Sequence, residues 1–247
     1  MNYYISGQSG FLGKAITKYL NKKDWTDTLL CIPRGQSTDD LIKFFNRVNP
    51  DYIIHLASYG NHFYQQDICQ MFYTNVLGLY TLLQASRGFN YKRFFNVSSS
   101  SVLLKKQTPY SLSKQCGELI CNTYERTTNV RPYSVYGIGD AAHRFIPTVI
   151  KCLKIGESMV VDEDATHDWI FVDDFVKALF RGSRNIGTGI KTTNKEIILM
   201  LEDISGKKLN YTQGKFRDYD NDNWVAPRGV KHIDLYEGLK LTYEGYL

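Results

Sequence analysis

The sequence predicts an α/β fold: a doubly wound parallel sheet with helices on both faces, followed by a small discontinuous C-terminal lobe. Three observations carry that expectation. Short apolar runs alternate with longer amphipathic stretches through the first half, a glycine-rich turn joins the first strand to the first helix, and the rhythm loosens beyond Gly137. Residues 3–6, 29–32, 52–56 and 93–98 read as buried strands; residues 11–20, 39–48, 71–86 and 111–125 read as the helices between them. Right-handed crossovers then place every strand parallel, so ligands sit at the carboxyl ends of the strands.

Later elements are less regular. Helices are expected over 144–153, 174–181, 194–205 and 233–246, with strand-like segments at 169–172 and 185–189. The expected division is a dinucleotide-binding domain of residues 1–137 plus about 168–189, and a substrate lobe of about 138–167 plus 190–247.

Composition narrows the class. The 247 residues are 43% hydrophobic and 22% charged, with no apolar run long enough to span a bilayer, which excludes a membrane protein. No basic leader followed by an apolar stretch opens the chain, so a cytoplasmic location is expected. Cys31, Cys69, Cys116, Cys121 and Cys152 are odd in number and never spaced C-x-x-C, which predicts neither a disulfide framework nor a metal site. A net charge of +5 spread along the chain suits small anions such as nucleotides better than a nucleic-acid duplex.

The turn Gly7-Gln8-Ser9-Gly10-Phe11-Leu12-Gly13 follows a strand and opens a helix. Gly7 permits the tight turn, Gly10 lets backbone approach a pyrophosphate, and Gly13 allows helix to pack on strand; the free amides around Phe11 and Leu12 and the helix dipole then hold the diphosphate of a Rossmann-type site. A glycine-rich turn without a ligand is the plain alternative. The acid that normally binds the adenosine ribose is missing, and Arg34 stands in its place. An Arg there suits a 2′-phosphate, favouring NADP with NAD as the alternative, although a solvated surface Arg fits too.

Tyr110 and Lys114 are four residues apart, so on a helix they share one face. A phenol titrates near about 10, and acting as a base at neutral pH requires its phenolate to be stabilised by roughly 4 kcal/mol, which a nearby cation can supply. An ordinary exposed helix face reads the same way in isolation. Upstream, Ser98, Ser99, Ser100 and Ser101 cluster at the carboxyl end of a predicted strand, as substrate hydroxyls or as a polar loop.

Taken in order, these pieces resemble the extended short-chain dehydrogenase/reductase family, specifically its nucleotide-sugar epimerases and dehydratases. The resemblance covers nearly the whole chain and includes Pro50 through Ala57, Asn75-Val76-Leu77-Gly78, Arg131 through Gly137, and His167 through Asp174. It implies Tyr110 as base, Lys114 as ribose ligand and modulator of Tyr110, and Ser99 or Ser100 as the substrate hydroxyl, with Ser99 favoured by its spacing from Val102. It also implies that Leu56, Ala57, Ser58, Asn75, Ser98 and Tyr133 lie along the cofactor. Ser134, Arg144 and Arg217 are candidates for the nucleotide-diphosphate sugar, the two arginines having an equally plain surface reading. A homodimer through the helices at 71–86 and 111–125 is a further implication.

Departures from the family pattern shape the chemistry. Ser100-Ser101 or Ser101-Val102 stands where the dehydratases carry an Asp-Glu pair, no Cys lies between Ser98 and Leu104, Ser134 replaces an Asn, and His167 replaces an Arg. The expected activity is therefore a nucleotide-sugar 4-epimerase, with an NADPH-dependent 4-ketoreductase as the alternative and a non-catalytic NADP-sensing protein as the alternative of another class.

Overall fold

The computed structural model describes residues 1–21, 29–30, 37–215 and 224–246, which fall into two compact units, Met1–Arg131 and Pro132–Leu247. Arg34 and Arg217 lie outside the described residues.

In the first unit β1 (Tyr3–Ser6), α1 (Phe11–Asn21), β2 (Leu29–Leu30), α2 (Thr38–Val48), β3 (Tyr52–His55), α3 (Ile68–Phe72), α4 (Gly78–Ser86), β4 (Arg93–Val97), α5 (Pro109–Cys121) and β5 (Thr127–Pro132) follow in sequence. The strands are parallel in the order β5-β4-β3-β1-β2, so the chain leaves β1 toward β2 on one side and returns to β3 on the other. That reversal makes the β1/β3 carboxyl ends the switch point where an open sheet binds ligands. Ile5, Ile53, Ile54, Phe94 and Phe95 are buried because helices cover both faces. On one face Tyr4, Phe45, Leu79, Leu83 and Phe94 form a core, with Tyr4 edge-on to Phe45 at 5.2 Å.

Local chemistry sets the helix ends. Ser37 and Asp40 form a capping box at the start of α2, and Asn49 closes that helix in the left-handed region at φ 47°. Thr108 and Ser111 cap α5, with Pro109 in its first turn. The helix thus begins two residues before the expected position 111 and takes in Tyr110. The single helix expected over 71–86 is divided: Tyr73–Leu77 forms a π turn between α3 and α4, with the Gly78 amide donating to the Tyr73 carbonyl. The extra residue turns Asn75 inward, where it bonds both backbone groups of Tyr59 and the Ser113 hydroxyl.

The second unit contains β6 (Ser134–Tyr136), α6 (Phe145–Ile155), β7 (Met159–Val161), β8 (Thr166–His167), β9 (Trp169–Phe171), α7 (Val172–Phe180), β10 (Asn185–Ile186), β11 (Thr192–Thr193), α8 (Asn194–Ser205), β12 (Tyr211–Gln213) and α9 (Leu235–Gly245). β6 pairs with β9 and β7 with β12 in parallel, while β8 and β11 run antiparallel. Val149, Ile150, Leu153, Ile197, Leu201 and Leu239 pack the core. Tyr136 of β6 and Phe171 of β9, which are register partners, belong to that same core. Among the described residues no helix is long and apolar enough to cross a membrane, and no group of three His, Cys, Asp or Glu could hold a metal.

Asp168 is the polar centre of this unit. It is 1% exposed, and its carboxylate accepts the Thr188 amide (2.6 Å), the Thr188 hydroxyl (2.7 Å), and the Gly189 and Ala226 amides (both 2.9 Å). An amide in its place would turn an NH2 toward donors. Asp168→Asn should therefore destabilise the fold by on the order of 3 kcal/mol, measured by denaturant unfolding; a change within about 0.5 kcal/mol, the range of ordinary surface substitutions, would contradict this account.

Candidate active site

The first turn is built to leave backbone exposed. Gly7 adopts φ +74°, and a Cβ there would lie 2.8 Å from the Ala57 nitrogen; one on Gly13 would lie 2.5 Å from the carbonyl oxygens of Gly7 and Gln8. Gly10, by contrast, is exposed, and a Cβ would meet only the Gly7 oxygen at 3.3 Å. Gly7 and Gly13 therefore pack chain on chain, while Gly10 keeps an open approach. Within α1 the Lys14 amide bonds the Gly10 carbonyl at 2.9 Å, and the first-turn amides of Phe11, Leu12 and Gly13 carry the positive end of the helix. This cradle fits the diphosphate of a dinucleotide.

The chain that follows β3 braces this turn. The Ser6 hydroxyl accepts the amides of Leu56 and Ala57, both at 3.2 Å, and lies 2.7 Å from His55 Nδ1. Leu56, Ala57 and Ser58 are half-buried next to it.

Along α5, Tyr110, Lys114 and Glu118 recur every fourth residue and so share one helix face. Tyr110 is half-buried in the first turn. Lys114 is 5% exposed and donates from Nζ to the Val97 carbonyl, 2.8 Å away at the end of β4. One turn on, Glu118 takes a bidentate ion pair from Arg131 at 2.9 and 2.6 Å. Lys114 thereby fastens α5 to the strand end from which Ser98 to Ser101 continue.

Those serines differ in environment. Ser98 is buried, and among the described residues its hydroxyl has no hydrogen-bond partner. Ser99 is half-buried at the start of a 3-10 turn (Ser100–Leu103), and its oxygen accepts both the Ser101 amide (3.1 Å) and the Ser101 hydroxyl (2.8 Å). Ser100 is 2% exposed within that turn, which disfavours it beside Ser99 for reaching a ligand. Asn75 is buried with its amide committed to Tyr59 and Ser113.

Tyr133, Ser134 and Arg144 belong to the second unit. Tyr133 is buried and its amide donates to the Ile186 carbonyl; Ser134 opens β6 with its amide on the Asp168 carbonyl; Arg144 precedes α6, half-buried. Sequence reasoning did not single out Ser6, His55, Glu118 or the π turn. For Glu118 the signal was present, in the continuation of the Tyr110/Lys114 spacing by four.

Burial governs the electrostatics. Loss of hydration pushes the Lys114 ammonium down to about 8, opposed by Cys121 and Glu118. The same burial, together with the Lys114 charge, pushes His55 down to about 3 and keeps it neutral. Because Lys114 titrates near 8 when folded and near 10.5 when unfolded, the unfolded chain holds the extra proton between those values, and native stability rises with pH across that window. In Lys114→Met this slope should vanish. Unfolding in denaturant at about pH 7.5 and about pH 10 should show the native chain gaining on the variant by on the order of 3 kcal/mol; a pH-independent difference would refute the assignment.

A family model described as the NAD dependent epimerase/dehydratase family matches residues 3–193. The dTDP-glucose 4,6-dehydratase of Haemophilus influenzae is 23% identical over 85% of this chain and 82% of its own length. The GDP-6-deoxy-D-mannose reductase of Pseudomonas aeruginosa is 27% identical over 87% of this chain and 83% of its own. Among solved structures, MoeE5 in complex with UDP-glucose and NAD superposes with a TM-score of 0.86 at 21% identity, covering 100% of this chain and 98% of that one, a likeness of fold. These relatives are enzymes, which sets aside the non-catalytic alternative. The cradle at Gly7 to Gly13, the helix face of Tyr110 and Lys114, and the matched family model lead to one conclusion: this chain belongs to the NAD-dependent epimerase/dehydratase family and is an NAD(P)-dependent enzyme.

Proposed function

We propose that the protein is a nucleotide-sugar 4-epimerase using NADP, with Tyr110 as the base. The observation that carries this reading is the Lys114–Val97 bond, which brings Tyr110, Lys114 and the serine cluster to one end of the sheet. The bound nicotinamide supplies the acceptor and donor of hydride. Tyr110 takes the proton of the sugar hydroxyl as the carbon is oxidised and returns it on reduction. Lys114 spends one hydrogen on Val97, leaving two to hold ribose hydroxyls, and its charge favours the Tyr110 phenolate. Because Ser99 accepts twice from Ser101, its own proton points outward and can bond the substrate oxygen. Dehydration needs an added acid and base, and the next positions supply only the buried Ser100 and Ser101.

A 4-ketoreductase would use the same residues once per turnover, and Arg34 favours it by suiting NADPH. Incubation with UDP-, dTDP- and GDP-hexoses separates the two, since only a reductase consumes NADPH stoichiometrically. Tyr110→Phe should lower kcat by about 10³-fold or more, while cofactor affinity stays within roughly threefold, about 0.7 kcal/mol; near-native turnover would end the assignment.

We further propose that the protein pairs with a second copy of itself. Tyr73, Leu77 and Tyr80 are 57%, 49% and 43% exposed, and Leu112 and Leu119 on α5 are 44% and 62% exposed. Each set recurs at helical spacing, and the two segments pack side by side. A two-fold axis between such pairs would cover both stripes at once. The double variant Leu77→Glu/Leu119→Glu should elute as a monomer in light-scattering chromatography where the native chain elutes as a dimer; a native monomer would refute the pairing.

A further inference from the structure

His55 ends β3, and its register partners reveal its setting. Ser6 in β1, His55 in β3, Asn96 in β4 and Asn129 in β5 stand opposite one another, one row across four adjacent strands of the sheet. Partners in a parallel register share a face, and this row faces α5: Asn96 donates to Asn129 at 2.9 Å, and Asn129 donates to the Glu118 carbonyl at 3.2 Å and to the Asn122 side chain at 3.0 Å. Ser6, His55 and Asn96 are 8%, 5% and 2% exposed. A buried polar row in an otherwise apolar sheet is retained only if its members satisfy one another.

The hydrogen directions follow from counting. The Ser6 hydroxyl oxygen accepts the Ala57 amide and shares the Leu56 amide with the Ser6 carbonyl, which takes it at 3.1 Å, so both lone pairs of the hydroxyl face amide donors. Its single proton must therefore go to His55 Nδ1, which fixes the imidazole as the neutral tautomer protonated on Nε2. This bond lies directly under the cofactor cradle. Ser6 immediately precedes Gly7, and the Gly7 Cα is seated so closely on the Leu56–Ala57 backbone that a Cβ would lie 2.8 Å from the Ala57 nitrogen. Whatever holds Leu56 and Ala57 also sets where the glycine turn stands.

We propose that His55 is a positioning residue for the dinucleotide: by accepting the Ser6 proton it aims the hydroxyl's lone pairs at the Leu56 and Ala57 amides and so fixes the two strand-end turns on which NAD(P) lies. The role concerns cofactor binding, a property of the family, and stands whichever sugar reaction follows.

A buried Leu replaces the imidazole without satisfying Ser6, whereas the Oδ1 of an Asn falls close to the position of Nδ1 and accepts the same proton. Dissociation constants for NADPH and NADH, read from nucleotide fluorescence on the intact chain, should rise about tenfold in His55→Leu and in Ser6→Ala, and remain within about threefold of native in His55→Asn. The double variant Ser6→Ala/His55→Leu should bind no worse than the weaker single variant, because both break one link. Thermal midpoints would be recorded in parallel, since a purely structural role would make affinity follow stability with no rescue by Asn. Equal affinities of the Leu and Asn variants, or additive losses in the double variant, would overturn the proposal. If His55→Leu fails to fold, native-like affinity in Ser6→Ala, or a tenfold loss in His55→Asn, overturns it equally.

Discussion

The first unit is organised around one buried cation. Removing an ammonium from water carries a penalty of several kcal/mol, and the Lys114 site contains only partial compensation: one strand-end carbonyl and a carboxylate one helical turn away that is already paired with Arg131. The result is a lysine held near the edge of deprotonation, pushed down to about 8. A cation so poorly hydrated is an effective neighbour for a developing phenolate and a strong donor to a ribose, since its remaining hydrogens have little water to choose instead. Its charge also adds to burial in disfavouring a second cation nearby. His55, which shares the interior with it, is driven to the uncharged form and becomes available as an acceptor for Ser6. Lysine burial and the polar row beneath the glycine turn are thus two parts of one electrostatic arrangement.

What was legible in the sequence was local. Gly7, Gly10 and Gly13 declare a turn because their spacing and flanks are set by backbone sterics within a few residues, and Tyr110 with Lys114 declares a helix face by spacing alone. β1 matches its predicted bounds since Tyr3 to Ile5 have no polar option. Short strands such as β7, β8, β11 and β12 escaped because two or three residues carry no readable period, and their pairing is decided by partners far along the chain. The π turn at Tyr73–Leu77 escaped because apolar spacing continues across it; only the demand of Tyr59 and Ser113 on Asn75 reveals it.

His55 illustrates the harder limit. In sequence it ends an apolar run and reads as the last residue of a strand. Its meaning comes from register, which sets Ser6 beside it on one side and Asn96 on the other, and from a lysine almost sixty positions away. None of those relations has a sequence period. Arg34 and Arg217, the two arginines expected at the cofactor and the substrate, both fall outside the described residues.

The geometry of the serine segment supports the proposed chemistry in one respect. A hydroxyl that accepts two hydrogen bonds has only donation left, so in the proposed reaction Ser99 would donate to the substrate oxygen and would not remove a proton. Ser100, 2% exposed within the 3-10 turn, is less open than Ser99. In the proposed reaction, proton removal on this side of the site is therefore assigned to Tyr110. A single base is what the proposed oxidation and re-reduction at one carbinol carbon would need, the same proton leaving and returning. Elimination of water from adjacent carbons needs a second acid–base pair, and neither of the two buried serines that follow Ser99 can ionise at neutral pH to provide it.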